Sequence, residues 1–329
     1  MDASLQVSVV IPTYNAGQKL RECLGALQKQ TYPRERYEII VVDDGSTDDT
    51  KSIIEEGGGR FPIRYCHQEN KGPAAARNRG AGMALGDMIL FTDADCVPSE
   101  TWIQEIISPF HNPEIVAVKG AYKTNQRSLW ARFAQVEFNE RYHKLLKQEY
   151  IDMIDTYSAG FKKEVFLSMG GFDPSFPFPN NEDTDLSYRM SLEGYKMVFN
   201  PDAIVWHSGH PDSLKKYVKL KFWRGYWRMV VYRRYSNKII KDSYTPQTLK
   251  LQICFAFLSL FCLVFMWLLP SVMSYAFLVS VILFLISSIE FMRLAIRDDK
   301  SIGMLSPFFL FIRAMALGSG ILYYLLKRP

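Results

Sequence analysis

Short apolar runs alternate with helix-like segments through the first part of the chain. Residues 7–12, 37–42 and 88–91 are apolar runs of strand length, whereas residues 18–30 carry leucines at the spacing of a helix. Because strand-like and helix-like segments follow one another in turn, we predict an α/β fold with a mostly parallel sheet. Sheets of this kind bind ligands outside the carboxyl ends of their strands.

The composition changes from about residue 249, after which the chain is mostly apolar. Residues 251–269 and 271–289 contain no charged side chain, and each run is long enough to cross the hydrocarbon core of a bilayer. Residues 302–326 are also long enough, but Arg313 lies near their middle. We favour three membrane helices with Arg313 facing protein or a lipid phosphate, the alternative being a re-entrant or interfacial third helix.

The segment before the apolar region is strongly basic. Residues 215–241 contain ten lysines and arginines, no acidic residue and several interleaved aromatic residues. Nucleic-acid binding is one interpretation, but basic and aromatic residues next to a membrane span are more typical of helices at a lipid surface. We therefore predict membrane lipids as partners, no nucleic acid, and a cytoplasmic location for this side of the protein.

These patterns predict three parts of the chain. They are a catalytic domain over residues 1–212, basic aromatic interfacial helices over residues 213–248, and a membrane region over residues 249–329. Residues 1–6 lack the pattern of a secretory signal peptide, so we expect a multi-pass protein of the cell membrane whose catalytic domain is cytoplasmic. The five cysteines show no metal-ligand spacing, and we expect them to be reduced.

Two carboxylates, Asp93 and Asp95, follow directly after the apolar run at residues 88–91. If the strand continues through them, both side chains point to one face and can converge on one ligand. A divalent cation, Mg²⁺ or Mn²⁺, would relieve their repulsion and bind substrate phosphates through oxygen ligands. Alternatively, the two acids form only a turn or a helix cap.

Side chains with functional groups follow three of the strand-like runs, namely Tyr14, Asp44 and Asp95. Because parallel strands end at the same edge of a sheet, these residues are expected to share one rim. Such a rim is the pocket expected of a nucleotide-binding α/β domain.

Four motifs occur in order within the first hundred residues. They are Val-Ser-Val-Val-Ile-Pro-Thr-Tyr-Asn from residue 7, Val-Val-Asp-Asp-Gly-Ser-Thr-Asp-Asp-Thr from residue 41, Asn-Lys-Gly-Pro-Ala-Ala-Ala-Arg-Asn from residue 70 and Asp-Ala-Asp from residue 93. Together they resemble glycosyltransferase family 2, whose members have the GT-A fold. The resemblance implies a nucleoside diphosphate-sugar donor of UDP or GDP type and a divalent cation.

The resemblance also implies roles for individual residues. It places Pro12, Tyr14 and Asp44 around the base and ribose, Arg77 near the diphosphate, Asp93 near the ribose or sugar, and Asp95 on the metal. Each residue also has a structural interpretation: Arg77 as a solvated helix residue, for example, or Tyr14 as a packing residue.

Glu182 and Asp183 begin a predicted helix, where acidic residues are favoured by the helix dipole alone. Helical geometry separates the two side chains, so only one of them is expected to point easily into a cleft. The resemblance matches a Glu-Asp motif and implies that Asp183 is the general base, with inversion and no covalent intermediate. It also places Gly171 and Asp173 at the floor of the acceptor or donor-sugar pocket.

Two further residues are candidates for the site. His207 ends a predicted strand and resembles a histidine that binds metal or diphosphate, although a lone histidine is more often structural. Arg224 lies where processive members of the family carry Gln-x-x-Arg-Trp. The match to that motif is poor, which argues against a processive polymerase. Arg224 is still a candidate contact for the diphosphate.

We therefore predict an inverting glycosyltransferase that uses a nucleoside diphosphate-sugar and a lipid-linked or glycan hydroxyl acceptor at the cytoplasmic membrane face. The alternatives are a polyprenyl-phosphate glycosyltransferase, whose phosphate acceptor needs no base, and a non-catalytic membrane scaffold that binds sugar nucleotides.

Overall fold

The structure is a computed structural model that describes residues 6–57, 63–176, 181–240 and 242–327. The predictions for residues 1–5 and for residue 241, at the end of the basic segment, lie outside the described residues. The chain divides into two compact units, one over residues 1–125 and 145–209 and the other over residues 126–144 and 210–329. Residues 126–144, which we assigned to the catalytic domain from sequence, thus group with the C-terminal helices, and the sequence-based domain boundaries stay a prediction.

The elements follow one another along the chain as strands, helices and short 3₁₀ helices. The strands are β1 (Val7–Thr13), β2 (Tyr37–Asp43), β3 (Ile63–His67), β4 (Met88–Phe91), β5 (Cys96–Pro98), β6 (Ile115–Lys123), β7 (Ala159–Lys162) and β8 (Lys196–His207). The helices are α1 (Gly17–Leu27), α2 (Thr50–Gly57), α3 (Pro73–Met83), α4 (Trp102–Ile107), α5 (Leu129–Leu145), α6 (Lys163–Ser168), α7 (Glu182–Leu192), α8 (Leu214–Arg234), α9 (Gln247–Val264), α10 (Pro270–Asp298) and α11 (Lys300–Lys327). The 3₁₀ helices are Arg34–Arg36, Ser108–His111 and Ser236–Ile239.

The first unit is built on one sheet with the strand order β3-β2-β1-β4-β7-β6-β8-β5. Strands β3, β2, β1 and β4 are parallel, as the alternation of strands and helices predicts. Strand β7 runs antiparallel to both β4 and β6, and β5 runs antiparallel to β8. The α/β class is therefore confirmed, and the sheet is mixed, with four of the seven strand pairings among the described residues parallel.

Strands β1 and β2 are buried along their whole length, because both faces of the sheet are covered there. Helix α3 packs very close to β1: a Cβ atom at Gly80 would lie 2.3 Å from the Val10 side chain. The absence of a side chain at Gly80 thus sets how closely α3 packs against β1.

The second unit consists of α5 and α8 to α11. Helices α9, α10 and α11 are long and apolar enough to cross a membrane. Helix α8 packs tightly on α11, since a Cβ atom at Gly320 would lie 2.0 Å from the Phe222 carbonyl oxygen and one at Gly225 would lie 2.3 Å from the Leu317 carbonyl oxygen. The basic segment therefore includes a helix with a buried packing face.

Arg313 is 2 % exposed and lies inside the second unit. Its guanidinium donates to the Gln252 side chain at 2.6 Å and to Glu137 at 3.4 Å. Of the two surroundings expected for this residue, protein is the one that the structure shows.

Candidate active site

The loops after β1 and β2 are joined to each other at the carboxyl edge of the sheet. Asn15 donates its backbone N–H to the Ser46 hydroxyl at 2.9 Å, and its side-chain oxygen accepts from the Thr47 N–H at 2.8 Å. Asn15 adopts a positive φ of 47°, a conformation that asparagine tolerates better than most residues. The loops that carry Tyr14 and Asp44 are thus joined directly to each other.

Asp44 is 4 % exposed and binds the segment that leads into α3. Its two carboxylate oxygens accept from the Gln68 side chain at 2.7 Å and from the N–H groups of Lys71 and Gly72 at 2.9 and 2.8 Å. Asp44 therefore positions the loop before α3, in addition to the contact with the base or ribose that the resemblance implies.

Asp43 is buried beside Asp44 and has a different set of partners. It accepts from the Ser46 N–H and the Tyr65 hydroxyl, both at 2.8 Å, and lies 3.3 Å from His67 Nδ1. Burial opposes ionisation, but the hydrogen bonds from Ser46, Tyr65 and His67 outweigh it and hold the pKa of Asp43 below its usual value.

Arg77 joins two acidic motifs that are far apart in the sequence. It is 2 % exposed, and it donates to Asp93 Oδ1 at 2.7 Å through Nη2 and to Glu182 Oε1 at 3.0 Å through Nη1. The interpretation of Arg77 as a solvated helix residue is therefore wrong.

Burial and nearby charges shift the pKa of Glu182, a partner of Arg77. Burial is the largest cause, and together with the negative charge of Asp183 it raises the pKa of Glu182 to about 7, although the cation of Arg77 opposes the shift. Glu182 Oε2 is buried and has no hydrogen-bond partner among the described residues. Glu182 thus has one oxygen on Arg77 and one that is desolvated.

The two acids of the Asp-x-Asp motif do not lie on a continuing strand. Strand β4 ends at Phe91, and a turn closed by a hydrogen bond from the Cys96 N–H to the Asp93 carbonyl at 3.0 Å contains the motif. Because a turn replaces the extended backbone, Asp93 faces Arg77 whereas Asp95 lies beside His207. The strand does not continue through the motif, so the condition for both acids to share one face is not met, and the backbone here is the turn given as the alternative.

Strand pairing brings His207 to Asp95. Cys96 is directly opposite His207 in the antiparallel pair of β5 and β8, and His207 Nε2 lies 3.5 Å from Asp95 Oδ1. His207 is 7 % exposed, and the side chain of Asp95 is 25 % exposed. A Cβ atom at Gly209 would lie 2.3 Å from Asp95 Oδ2, so glycine keeps the space beside this pair open.

Cys96 and Lys19 also lie near the Asp95 carboxylate. The Cys96 thiol belongs to the same group of side chains that could hold a metal. Burial, reinforced by the charges of Asp93 and Asp95, raises the pKa of Cys96 well above its usual value, so the thiol stays protonated. Lys19 Nζ lies 3.6 Å from Asp95 Oδ2. Asp95, Cys96 and His207 therefore offer a carboxylate, a thiol and an imidazole within one group that could hold a metal ion.

Asp183 lies in the first turn of α7 and is half-buried. Its Oδ1 accepts from the Thr184 N–H at 2.6 Å. Glu182, which the sequence analysis also placed in the acceptor or donor-sugar pocket, is buried and meets Arg77, whereas Asp183 is half-buried. Asn181, which precedes them, has a positive φ of 66° and makes no side-chain capping hydrogen bond.

The segment around Gly171 is held by Asn78 of α3. The Asn78 side chain donates to the Phe172 carbonyl at 2.7 Å and accepts from the Phe172 N–H at 2.9 Å. Gly171 has a φ of 67°, and a Cβ atom there would lie 2.5 Å from Asn78 Oδ1. Asp173 follows and accepts from the Ser175 N–H at 2.8 Å. Asn78 ends the motif that begins at residue 70, and no local pattern in that motif indicates its contact with Phe172.

Three sequence-predicted residues lie apart from these contacts. Pro12 is buried in β1 opposite Val42, with the strand continuing for one further residue, whereas Tyr14 is 53 % exposed at the rim. This exposure does not support the interpretation of Tyr14 as a packing residue. Arg224 lies on α8 in the second unit.

Comparisons with known proteins agree with these motifs. The model of "Glycosyl transferase family 2" matches residues 8–169. "Glycosyltransferase AglE" of Haloferax volcanii is 30 % identical over 230 residues, which cover 64 % of this chain and 70 % of that protein. The chain belongs to glycosyl transferase family 2.

Two further similarities concern this glycosyltransferase. The "Glucosyl-dolichyl phosphate glucuronosyltransferase" of Haloferax volcanii is 25 % identical over 248 residues, which cover 69 % of this chain and 77 % of that protein. The structure of the mannosyltransferase PcManGT from Pyrobaculum calidifontis, determined with GDP-Man and Mn²⁺, matches with a TM-score of 0.63 at 18 % identity, over 100 % of this chain and 90 % of that one. The predicted GT-A fold is thereby confirmed.

Proposed function

We propose that this glycosyltransferase moves a sugar, with inversion at the anomeric carbon, from a UDP- or GDP-type nucleoside diphosphate-sugar to a hydroxyl of a lipid-linked or glycan acceptor at the cytoplasmic membrane face. The observation that carries the proposal is the contact of Arg77 with both Asp93 and Glu182, because it joins the Asp-x-Asp and Glu-Asp motifs in one cluster. Related proteins act on a glucosyl-dolichyl phosphate or bind GDP-Man, which supports the donor and acceptor classes.

Asp95 and His207 are the residues that would hold a divalent cation, Mn²⁺ or Mg²⁺. A carboxylate and an imidazole lie 3.5 Å apart there, and the backbone of Gly209 leaves space beside them. When bound, the cation would neutralise charge that develops on the diphosphate leaving group. The similar mannosyltransferase structure holds Mn²⁺, which supports this assignment.

Asp183 would act as the general base and take the proton from the acceptor hydroxyl as that oxygen attacks the anomeric carbon. Asp183 is half-buried and open to an acceptor, whereas Glu182 is 3 % exposed and bound to Arg77. Glu182 and Arg77 would instead orient Asp93 toward the ribose or sugar. Gly171 and Asp173 would form the floor of the sugar pocket, with Pro12, Tyr14 and Asp44 near the base and ribose.

The membrane assignment rests on the second unit. Three of its helices have the length and composition of membrane spans, and the basic residues that precede them favour the cytoplasmic side. Arg224, in that basic segment, stays a candidate contact for a phosphate group.

The test is nucleoside diphosphate release from a panel of sugar nucleotides by detergent-purified protein with a membrane lipid extract, in Mn²⁺, Mg²⁺ or EDTA. We expect release with one donor that EDTA abolishes. Asp183→Asn should slow turnover by about 10²–10⁴-fold, the usual contribution of a positioned base. Asp202→Asn, which changes an exposed aspartate on β8, is the matched control and should keep full activity.

Each result bears on one part of the proposal. Full turnover by Asp183→Asn would remove this residue from the role of base. Release that is unaffected by EDTA and by Asp95→Ala would overturn the metal assignment. Donor binding without release, with every donor and with the lipid extract present, would favour the non-catalytic scaffold.

A further inference from the structure

The second unit contains a groove between α8 and α11 that the proposed chemistry does not use. The two helices pack tightly at two glycines, because a Cβ atom at Gly225 or Gly320 would lie within 2.3 Å of a carbonyl oxygen of the other helix. On the N-terminal side of these glycines, a groove of about 820 Å³ lies between the helices. This volume is within the range of sites that hold ligands of moderate size. We call it the α8–α11 groove.

Apolar side chains from both helices line most of the groove. Val218 and Phe222 come from α8, and Ile312 and Met315 come from α11. Phe311 also lines the groove and is 38 % exposed. A contiguous apolar surface of this kind is unfavourable in water and marks a binding site or a membrane contact. Because α11 is long and apolar enough to cross a membrane, a hydrocarbon chain is the partner that suits this surface.

Two lysines of α8 add positive charge to the same groove. Lys215 and Lys219 both line it, and their spacing of four residues places them on one face of the helix. Both side chains are exposed, and neither forms an ion pair with another described residue. The described residues that line the groove include no acid. The groove therefore offers two cations beside an apolar surface.

Lys216 shows that this arrangement is specific to one face of α8. It lies outside the described lining of the groove, and its Nζ donates to Asp212 Oδ2 at 2.8 Å. The acid that precedes α8 thus pairs with the lysine that faces elsewhere. Lys215 and Lys219 stay available to an anion that enters the groove.

The ligand that matches both parts of the groove is amphipathic. A soluble phosphate would contact the lysines and leave the apolar surface uncovered, whereas a neutral hydrocarbon would leave the lysines without a counter-charge. An anionic phospholipid supplies a phosphate and an acyl chain in one molecule, and basic pockets between membrane helices bind such headgroups. Phosphatidylcholine fits less well, because its choline cation would lie near the lysines.

We propose that the α8–α11 groove binds one anionic glycerophospholipid of the surrounding membrane. Its phosphate lies at Lys215 and Lys219, and an acyl chain lies along Val218, Phe222 and Met315. The inference rests on the membrane location given in the proposed function and is independent of the donor and the acceptor. It assigns one lipid site, in addition to the general attraction of a basic segment to a lipid surface.

The test is photocrosslinking of the full chain in phosphatidylcholine vesicles. A diazirine-bearing acyl chain is carried by a trace of phosphatidylglycerol in one sample and by a trace of phosphatidylcholine in the other, and mass spectrometry identifies the labelled residues. Phosphatidylglycerol should label residues 311–319 about tenfold more than phosphatidylcholine does, because two lysines attract its headgroup. Leu278 and Leu285, exposed on α10, should be labelled equally by both lipids and serve as the internal reference.

Two variants separate the headgroup from the chain. Lys219→Gln should lower labelling of the groove by phosphatidylglycerol about fivefold, the usual effect of one basic side chain near anionic lipid. Lys216→Gln removes the same charge from the same helix outside the groove and should change little. Ser319→Leu keeps both lysines but fills part of the groove, so it should also lower the labelling. Leu322→Phe, at an exposed position of α11 outside the described lining, is its control.

Several outcomes would overturn the inference. Equal labelling of the groove by the two lipids would show bulk bilayer only, and equal losses in Lys216→Gln and Lys219→Gln would show diffuse surface charge. Unlabelled polyprenyl phosphate that competes better than unlabelled phosphatidylglycerol would assign the groove to another lipid, and a groove that neither lipid labels would fit a second copy of the chain. Absence of label on α10 from both lipids would instead refute the proposed membrane location, and donor release is measured separately from all of these.

Discussion

Replacing Arg77 with methionine removes the cation that lies between Asp93 and Glu182. The guanidinium is buried, and its two hydrogen bonds measure 2.7 and 3.0 Å. Removing one member of a buried ion pair typically costs about 3–5 kcal/mol, because a desolvated charge loses its partner. For a domain of this size, each kcal/mol lowers the melting temperature by about 2–4 °C, so we expect a fall of about 6–20 °C.

The assay is thermal unfolding followed by circular dichroism in detergent, with all variants heated at one scan rate. Arg21→Met is the matched control, because Arg21 forms a pair with Glu56 at 2.9 Å in which the two side chains are 50 % and 61 % exposed. Pairs at the surface contribute about 0–1 kcal/mol, so this variant should melt within about 4 °C of the wild type.

A second variant makes the reasoning sharper. Glu182→Gln combined with Arg77→Met removes one of the carboxylates left without a cation, so the double variant should melt above the single Arg77→Met variant. A melting temperature of Arg77→Met as close to the wild type as that of Arg21→Met would refute the buried ion pair. A double variant that melts lower than the single one would refute the coupling between the two residues.

Two further predictions concern positions near the rim. Gly171→Ala should destabilise the protein more than Gly170→Ala. Both glycines have a positive φ, which costs about 1–2 kcal/mol for alanine, but only a Cβ atom at Gly171 would meet Asn78. Equal melting temperatures of the two variants would contradict this prediction. Because the folded-state pKa of Asp43 is lowered, its stabilising contribution is present above about pH 4 and is lost as the pH falls through the folded-state value. Asp43→Asn should therefore show a flatter melting temperature below about pH 4 than the wild type, and parallel pH profiles would refute the assignment.

Local patterns in the sequence determined the elements of this protein. Residues 7–12 and 37–42 form buried strands, because continuous apolar runs suit strands covered on both faces. The three long apolar segments form helices for a similar reason, since their composition leaves few polar side chains to place in water. The ordered motifs likewise identified the family from residues close together in the chain.

Only the tertiary structure decided which of these residues meet. Arg77 and Glu182 lie 105 positions apart, and no local pattern specifies that the first residue of α7 should face α3. His207 reaches Asp95 through the register of β5 and β8, which is a long-range pairing. The separation of Asp93 from Asp95 depends on where β4 stops, and the burial of Arg313 depends on Glu137 and Gln252 from other helices. Propensity and periodicity act over a few residues, whereas these contacts arise from the packing of distant segments.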